Sequence, residues 1–155
     1  MNTSHAKAIR GLGIATVVVA AICIVLMVLV AAGLAFGTAA INDPSLSDSV
    51  SFGAVSGSIE LDGFSFTDNP VFFLSVLMGA GVVLVVALVV CHIVALVAGA
   101  KAMRNSADTA KLGSVFGWSI AGAVTSLIGS NFVTMVLLII VAVFAYMDRK
   151  AASQA

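Results

Sequence analysis

Three stretches without a formal charge, residues 11–41, 71–100 and 112–147, limit this chain to folds whose surface is largely covered by lipid. A helix rising 1.5 Å per residue needs about 20 apolar residues to cross a hydrocarbon core of ~30 Å, and each stretch is long enough. With 61% hydrophobic and 9% charged residues, a water-soluble fold could not hide so much apolar surface. The class expected from the sequence is an all-α membrane protein.

The third stretch decides the number of crossings. As one helix, residues 112–147 would measure roughly 54 Å, too long for the core even when tilted. Gly129-Ser130-Asn131 lies near its middle and supplies a break, a residue that tolerates positive φ followed by two whose side chains hydrogen-bond turn backbone. Four spans result: 11–41, 71–100, 112–129 and 130–147, with a tight outer turn at 129–131.

Charge placement gives an independent argument. With the N-terminus inside, segments 1–10, 101–111 and 148–155 face the cytoplasm and carry Lys7, Arg10, Lys101, Arg104, Lys111, Arg149 and Lys150, while the outer side carries no basic residue. Three spans would strand Arg149 and Lys150 outside. The expected architecture is thus a four-helix transmembrane bundle, multi-pass in the cell membrane, with both termini cytoplasmic. Trp118 and Tyr146 then fall toward the cytoplasmic interface, and Phe72, Phe73 and Phe132 toward the outer side. A signal peptide is the rival reading of the first span, since His5, Lys7 and Arg10 precede it and Thr38-Ala39-Ala40 follow. Its apolar run far exceeds the ~7 to 15 residues of such peptides, so an uncleaved anchor is expected.

Residues 42–70 form the one sizeable polar segment, with Asp43, Asp48, Glu60, Asp62 and Asp68 and no Lys or Arg. Val50, Phe52, Ile59, Leu61, Phe64 and Phe66 fall near period two around Ser56-Gly57, which predicts a small β-hairpin with one apolar face in the first outer loop. The acidic spacing matches no calcium loop, and solvation is the expected role of these carboxylates.

Within the spans, Asp, Glu, Lys and Arg are missing, which argues against ion transport and intramembrane hydrolysis. His92, beside Cys91, is the candidate intramembrane polar site: inter-helix hydrogen bonding, a proton or ligand site, and a soft-metal site with Cys23 are its three readings. Adjacent residues on a helix point about 100° apart, so Cys91 and His92 converge poorly on one ion. Neither a metal, a cofactor nor a catalytic residue is expected. Small residues recur four apart at Gly33 and Gly37, and at Gly113, Gly117 and Ala121, with Gly122 and Ser126 on a neighbouring face; such rows allow close helix packing or self-association.

Residues 85–147 resemble a loose group of small Gly-rich bacterial membrane proteins of uncharacterised function. The likeness rests on His92-Ile93-Val94-Ala95-Leu96-Val97-Ala98-Gly99-Ala100, a short basic connector, and Leu112-Gly113-Ser114-Val115-Phe116-Gly117-Trp118-Ser119-Ile120-Ala121-Gly122. The layout of a large first outer loop and a short second one is also similar to that of claudin-type proteins. That loop here lacks the Trp and Cys residues of the claudin motif, so the similarity is one of topology alone.

The function expected from these features is a non-enzymatic accessory or cell-envelope interaction protein whose partners are the lipid bilayer and another protein or a second copy of itself. The alternative is a small oligomeric transporter or lipid-handling protein. No basic stripe suits nucleic acid.

Overall fold

The computed structural model describes residues 5–42, 60–61, 64–65 and 70–154, with side chains from 5 to 39 and from 75 to 154. Four long helices make up nearly all of it: α1 (Ala6–Asn42), α2 (Pro70–Asn105), α3 (Leu112–Ile128) and α4 (Phe132–Ser153). All four are long and apolar enough to cross a membrane. Pro70 stands first in α2, where its missing N–H would have had no helical partner.

In the loop, two-residue strands β1 (Glu60–Leu61) and β2 (Phe64–Ser65) pair antiparallel, Glu60 opposite Ser65 and Leu61 opposite Phe64. The Ser56-Gly57 turn expected from the sequence lies outside the described residues, as do Val50, Phe52 and the loop's other acidic positions. The side chains of Phe72 and Phe73 are likewise outside them.

The chain divides into two compact units, residues 1–27 with 87–155, and residues 28–86. In the first, all four helices meet around Ile9 of α1, Ala102 of α2, Leu112 and Val115 of α3, and Val141 and Ala145 of α4. Ala95 and Ala98 of α2, Ala123 of α3 and Leu138 of α4 form a second cluster. Alanine is frequent because lipid provides no hydrophobic drive for helices to associate; dispersion across close backbones has to hold them.

The closest approach joins α1 and α2. A Cβ added to Gly13 would lie 2.8 Å from the Gly99 carbonyl oxygen and 2.8 Å from the Met103 nitrogen, and one added to Gly99 would lie 3.0 Å from the Gly13 oxygen. Thr16 is fully buried beside this crossing and donates its hydroxyl to the Leu12 carbonyl at 2.9 Å, so its polarity is spent within α1.

The second unit contains the remainder of α1 and α2. There Gly37 faces the Met78 methyl and Gly81 faces Leu34, while Leu29, Val30, Phe36, Val83 and Leu84 are exposed. Such an apolar exterior suits lipid or a protein partner and not water.

Between α2 and α3, Asp108 caps a short 3-10 turn (Thr109–Lys111) by accepting from the Ala110 N–H at 3.1 Å. Its carboxylate also pairs with Lys111 at 3.1 Å, and the Lys111 hydrogen bond is the main cause holding its pKa below the usual value. A depressed carboxylate favours the folded connector above the unfolded pKa, and that contribution fades as pH falls through the folded value. Both partners are exposed, so the pair adds little.

The α1–α2 crossing generates a paired test. Gly13→Ala should destabilise the protein in detergent by roughly 1–3 kcal/mol, since backbone atoms occupy the space a methyl needs. Gly33, with nothing within 4 Å of an added Cβ, should accept alanine with no loss and a gain of up to about 1 kcal/mol from helix propensity. Equal thermal shifts for the two variants would remove the close crossing as an explanation of stability.

Candidate functional site

The turn between α3 and α4 is made by backbone first. Asn131 donates its N–H to the Ser126 carbonyl at 2.8 Å and Ser130 to that of Leu127 at 3.1 Å, the pair of bonds that closes a Schellman motif. This motif needs one residue in the left-handed region, and Ser130 occupies it with φ 54°. Gly129 does not, having φ −75°, which differs from the expectation that the glycine would supply the positive φ. Its lack of a side chain matters for another reason: an added Cβ would lie 3.3 Å from His92 Cε1 and 3.7 Å from Cys91 Cβ. The glycine lets the turn come down onto α2.

Asn131 then links three helices through one amide. Its Oδ1 accepts from the Thr134 N–H at 3.0 Å and caps α4. That bond fixes the orientation of the amide, so Nδ2 points the other way, 3.3 Å from His92 Nε2 on α2 and 3.4 Å from Cys23 Sγ on α1. His92 is 2% exposed, and its Nδ1 lies 2.8 Å from the Leu88 carbonyl oxygen. A carbonyl only accepts, so Nδ1 carries the proton and Nε2 is the acceptor for Asn131. Both ring nitrogens are thereby engaged by a neutral imidazole.

The structure brings His92, Cys23 and all three residues of the 129–131 turn to one place. Cys91 borders it through Gly129, and its thiol and that of Cys23 are free. Among the described residues no group of three or more His, Cys, Asp and Glu is placed to hold a metal ion. The small-residue positions are dispersed. Gly122 is packed tightly, an added Cβ lying 2.8 Å from Leu138 and 2.9 Å from Ala98; Ser126 is buried beside it on the same helix face; Gly37 faces Met78. Gly33 and Gly117 have open space, Gly113 has only the Arg149 guanidinium nearby, and Ala121 is exposed.

At the other end of this unit lies a second polar contact that sequence reasoning missed. Asp148 of α4, 4% exposed, accepts from the His5 backbone N–H at 3.1 Å and from His5 Nδ1 at 2.8 Å. The His5 ring stacks on Phe144 at 4.8 Å between centroids. The head and tail of the chain therefore meet at one end of the bundle. A signal was available in the lone acid of Met147-Asp148-Arg149-Lys150, which has no evident purpose in a basic flank. On the α2–α3 side, Lys101 sits 4.5 Å above the Trp118 ring and 3.4 Å from Ser114 Oγ.

Removing the Asn131 amide tests this arrangement. Asn131→Ala deletes the α4 cap and leaves buried His92 Nε2 without a donor, for a combined loss of about 2–3 kcal/mol. In that background His92→Ala should add about 0.6 kcal/mol less than it does alone, because the partners already lack each other. Additive thermal shifts in detergent would refute the link.

No family model matches this chain, and neither a curated protein nor a solved structure is significantly similar to it.

Proposed function

We propose that this is a non-enzymatic membrane protein, an accessory or envelope-interaction module, in which four membrane-spanning helices anchor the acidic segment between α1 and α2 on the outer side. The observation that carries this reading is the use of His92. An imidazole with both nitrogens committed to the fold, one to Leu88 and one to Asn131, serves to secure a turn. It has no free position for a substrate or ion.

The surroundings of the turn explain why such securing is needed. Leu127, Ile128, Phe132 and Val133 flank it and are exposed by 52–66%. In this reading the turn lies on the outer side but still in hydrocarbon, where every backbone polar group needs an internal partner. α3, at 17 residues, rises only about 25 Å, which agrees with a turn that stops short of the outer water. The Schellman bonds and the Asn131 cap meet part of that requirement, and His92 holds the capping amide in place.

The His5–Asp148 contact supports an even number of crossings, and the basic residues of 1–10, 101–111 and 148–155 favour the cytoplasm for that end. The exposed apolar surface of Phe36, Val83 and Leu84 and the acidic segment 43–69 are where a protein partner or a second copy would dock. A small oligomeric transporter or lipid-handling protein is the second reading. It is favoured by the buried hydroxyls of Ser119, Ser126 and Thr134, which have no hydrogen-bond partner among the described residues and line the bundle interior.

Two measurements decide these points. A cytoplasm-dependent reporter fused after Ala155 should be active and an export-dependent one silent, while Ser130→Cys should resist an impermeant maleimide in intact membranes and react in detergent. Activity of the export-dependent fusion would discard the even-crossing topology. Photo-crosslinkers placed at Phe36 and Ser58 in native membranes should capture a discrete protein or a second copy; capture of nothing, together with a vesicle flux abolished by His92→Ala, would replace the interaction module with the transporter.

A further inference from the structure

A cavity lies away from His92, on the outward face of the α3–α4 hairpin. It is an open groove of about 610 Å³, and its walls, which include Ile120 and Val124 of α3 and Ile139 and Val143 of α4, are apolar. Phe116 and Tyr146 line its end nearest the chain termini, their ring centroids 6.0 Å apart. The groove runs along both helices for about ten residues, or roughly 15 Å, a length suited to much of an extended acyl chain.

What lies beyond the aromatic end identifies the occupant. Ile139, Val143, Tyr146 and Lys150 succeed one another at intervals of three or four, so Lys150 continues the groove-lining face of α4 by one turn. Lys150 is exposed. The Arg149 guanidinium comes within 3.8 Å of where a Gly113 Cβ would be, one turn from Phe116 on α3. Two cations therefore border the aromatic end. The acid that precedes them in sequence, Asp148, is turned inward with its side chain 2% exposed and bound to His5.

From this juxtaposition we propose that the α3–α4 groove binds one molecule of an anionic phospholipid, an acyl chain lying along Ile120, Val124, Ile139 and Val143 and the phosphate meeting Lys150 and Arg149. The Tyr146 ring stands where chain gives way to headgroup, the level at which aromatic rings with a polar tip are enriched. A zwitterionic lipid would fill the same apolar trough but bring a positive group against the two cations. Selectivity therefore comes from charge at the rim, and residence from the trough.

This site rests on the membrane reading, and the test keeps the two apart. The full chain is first checked for retention in carbonate-washed membranes; its release would overturn the membrane reading itself. It is then purified in mild detergent, and retained lipid is counted by native mass spectrometry during titration with phosphatidylglycerol or phosphatidylcholine. One phosphatidylglycerol per chain should be held, with phosphatidylcholine weaker by about tenfold, as expected for two basic contacts with an anionic headgroup. Lys150→Glu, on an exposed position, should erase most of that preference. Val143→Trp, which fills the trough from its open side, should weaken both lipids. Equal retention of the two lipids, unchanged by Lys150→Glu, would mean ordinary annular lipid and overturn the proposal. A dimer mass lost on Val143→Trp, with no bound lipid, would overturn it in favour of a second copy in the groove.

Discussion

The Asn131 side chain is the contact on which this unit's architecture depends. In the proposed membrane setting, a helical hairpin whose turn is surrounded by exposed Leu127, Ile128, Phe132 and Val133 cannot rely on water to satisfy the ends of its helices. The backbone closes two of the open bonds through the Schellman pair, and the Asn131 carbonyl oxygen closes a third at Thr134. The amide nitrogen of the same side chain is then left pointing at α1 and α2. Cys23 and His92 are the acceptors that meet it. Capping α4 and locking the hairpin against the other two helices are thus one event, because the planar amide cannot turn for one without turning for the other.

That lock works because backbones elsewhere in the unit come close. The Gly13–Gly99 crossing brings α1 and α2 together, and Gly122 admits Leu138 and Ala98 between α3 and its neighbours. Directional bonds between helices in lipid contribute only about 0.6 kcal/mol on average, so Asn131 and His92 select an arrangement that close packing has already made favourable. The division of labour is visible in the side chains: alanine and glycine set distance, and a few polar atoms set register.

Much of this was legible in the sequence, and the rest was hidden for physical reasons. Four apolar helices follow from length and charge placement, since lipid thickness is a ruler that sequence cannot evade, and the break at 129–131 from the turn chemistry of Gly129, Ser130 and Asn131. Which residue of the break takes the left-handed conformation does not follow. Gly129 is needed for its closeness to His92, and Ser130 accepts φ 54° in its place. Gly13 has no small residue four positions away, so periodicity in four-residue rows gave no hint of its crossing with Gly99. Gly33 and Gly117 do belong to such rows and have open space beside them. Spacing describes one helix, whereas packing depends on which face another helix approaches. His92 stood out as an ionisable group in an apolar run, but Asn131, its partner in the turn, is 39 positions away and could not be named.

The meeting of His5 and Asp148 has a similar logic at the other end. A carboxylate with a side chain 2% exposed is costly unless donors surround it, and here the first residue of the described chain supplies two. Residues 143 positions apart are joined, so head and tail are held at one end by contact and not merely by the count of crossings. This contact is independent of the basic-residue argument, which concerns where charges fall and says nothing of which groups touch. With Asp148 turned inward, Arg149 and Lys150 are exposed at the rim of the α3–α4 groove. One buried carboxylate thereby ties residue 5 to residue 148 beside the two cations that border the α3–α4 groove.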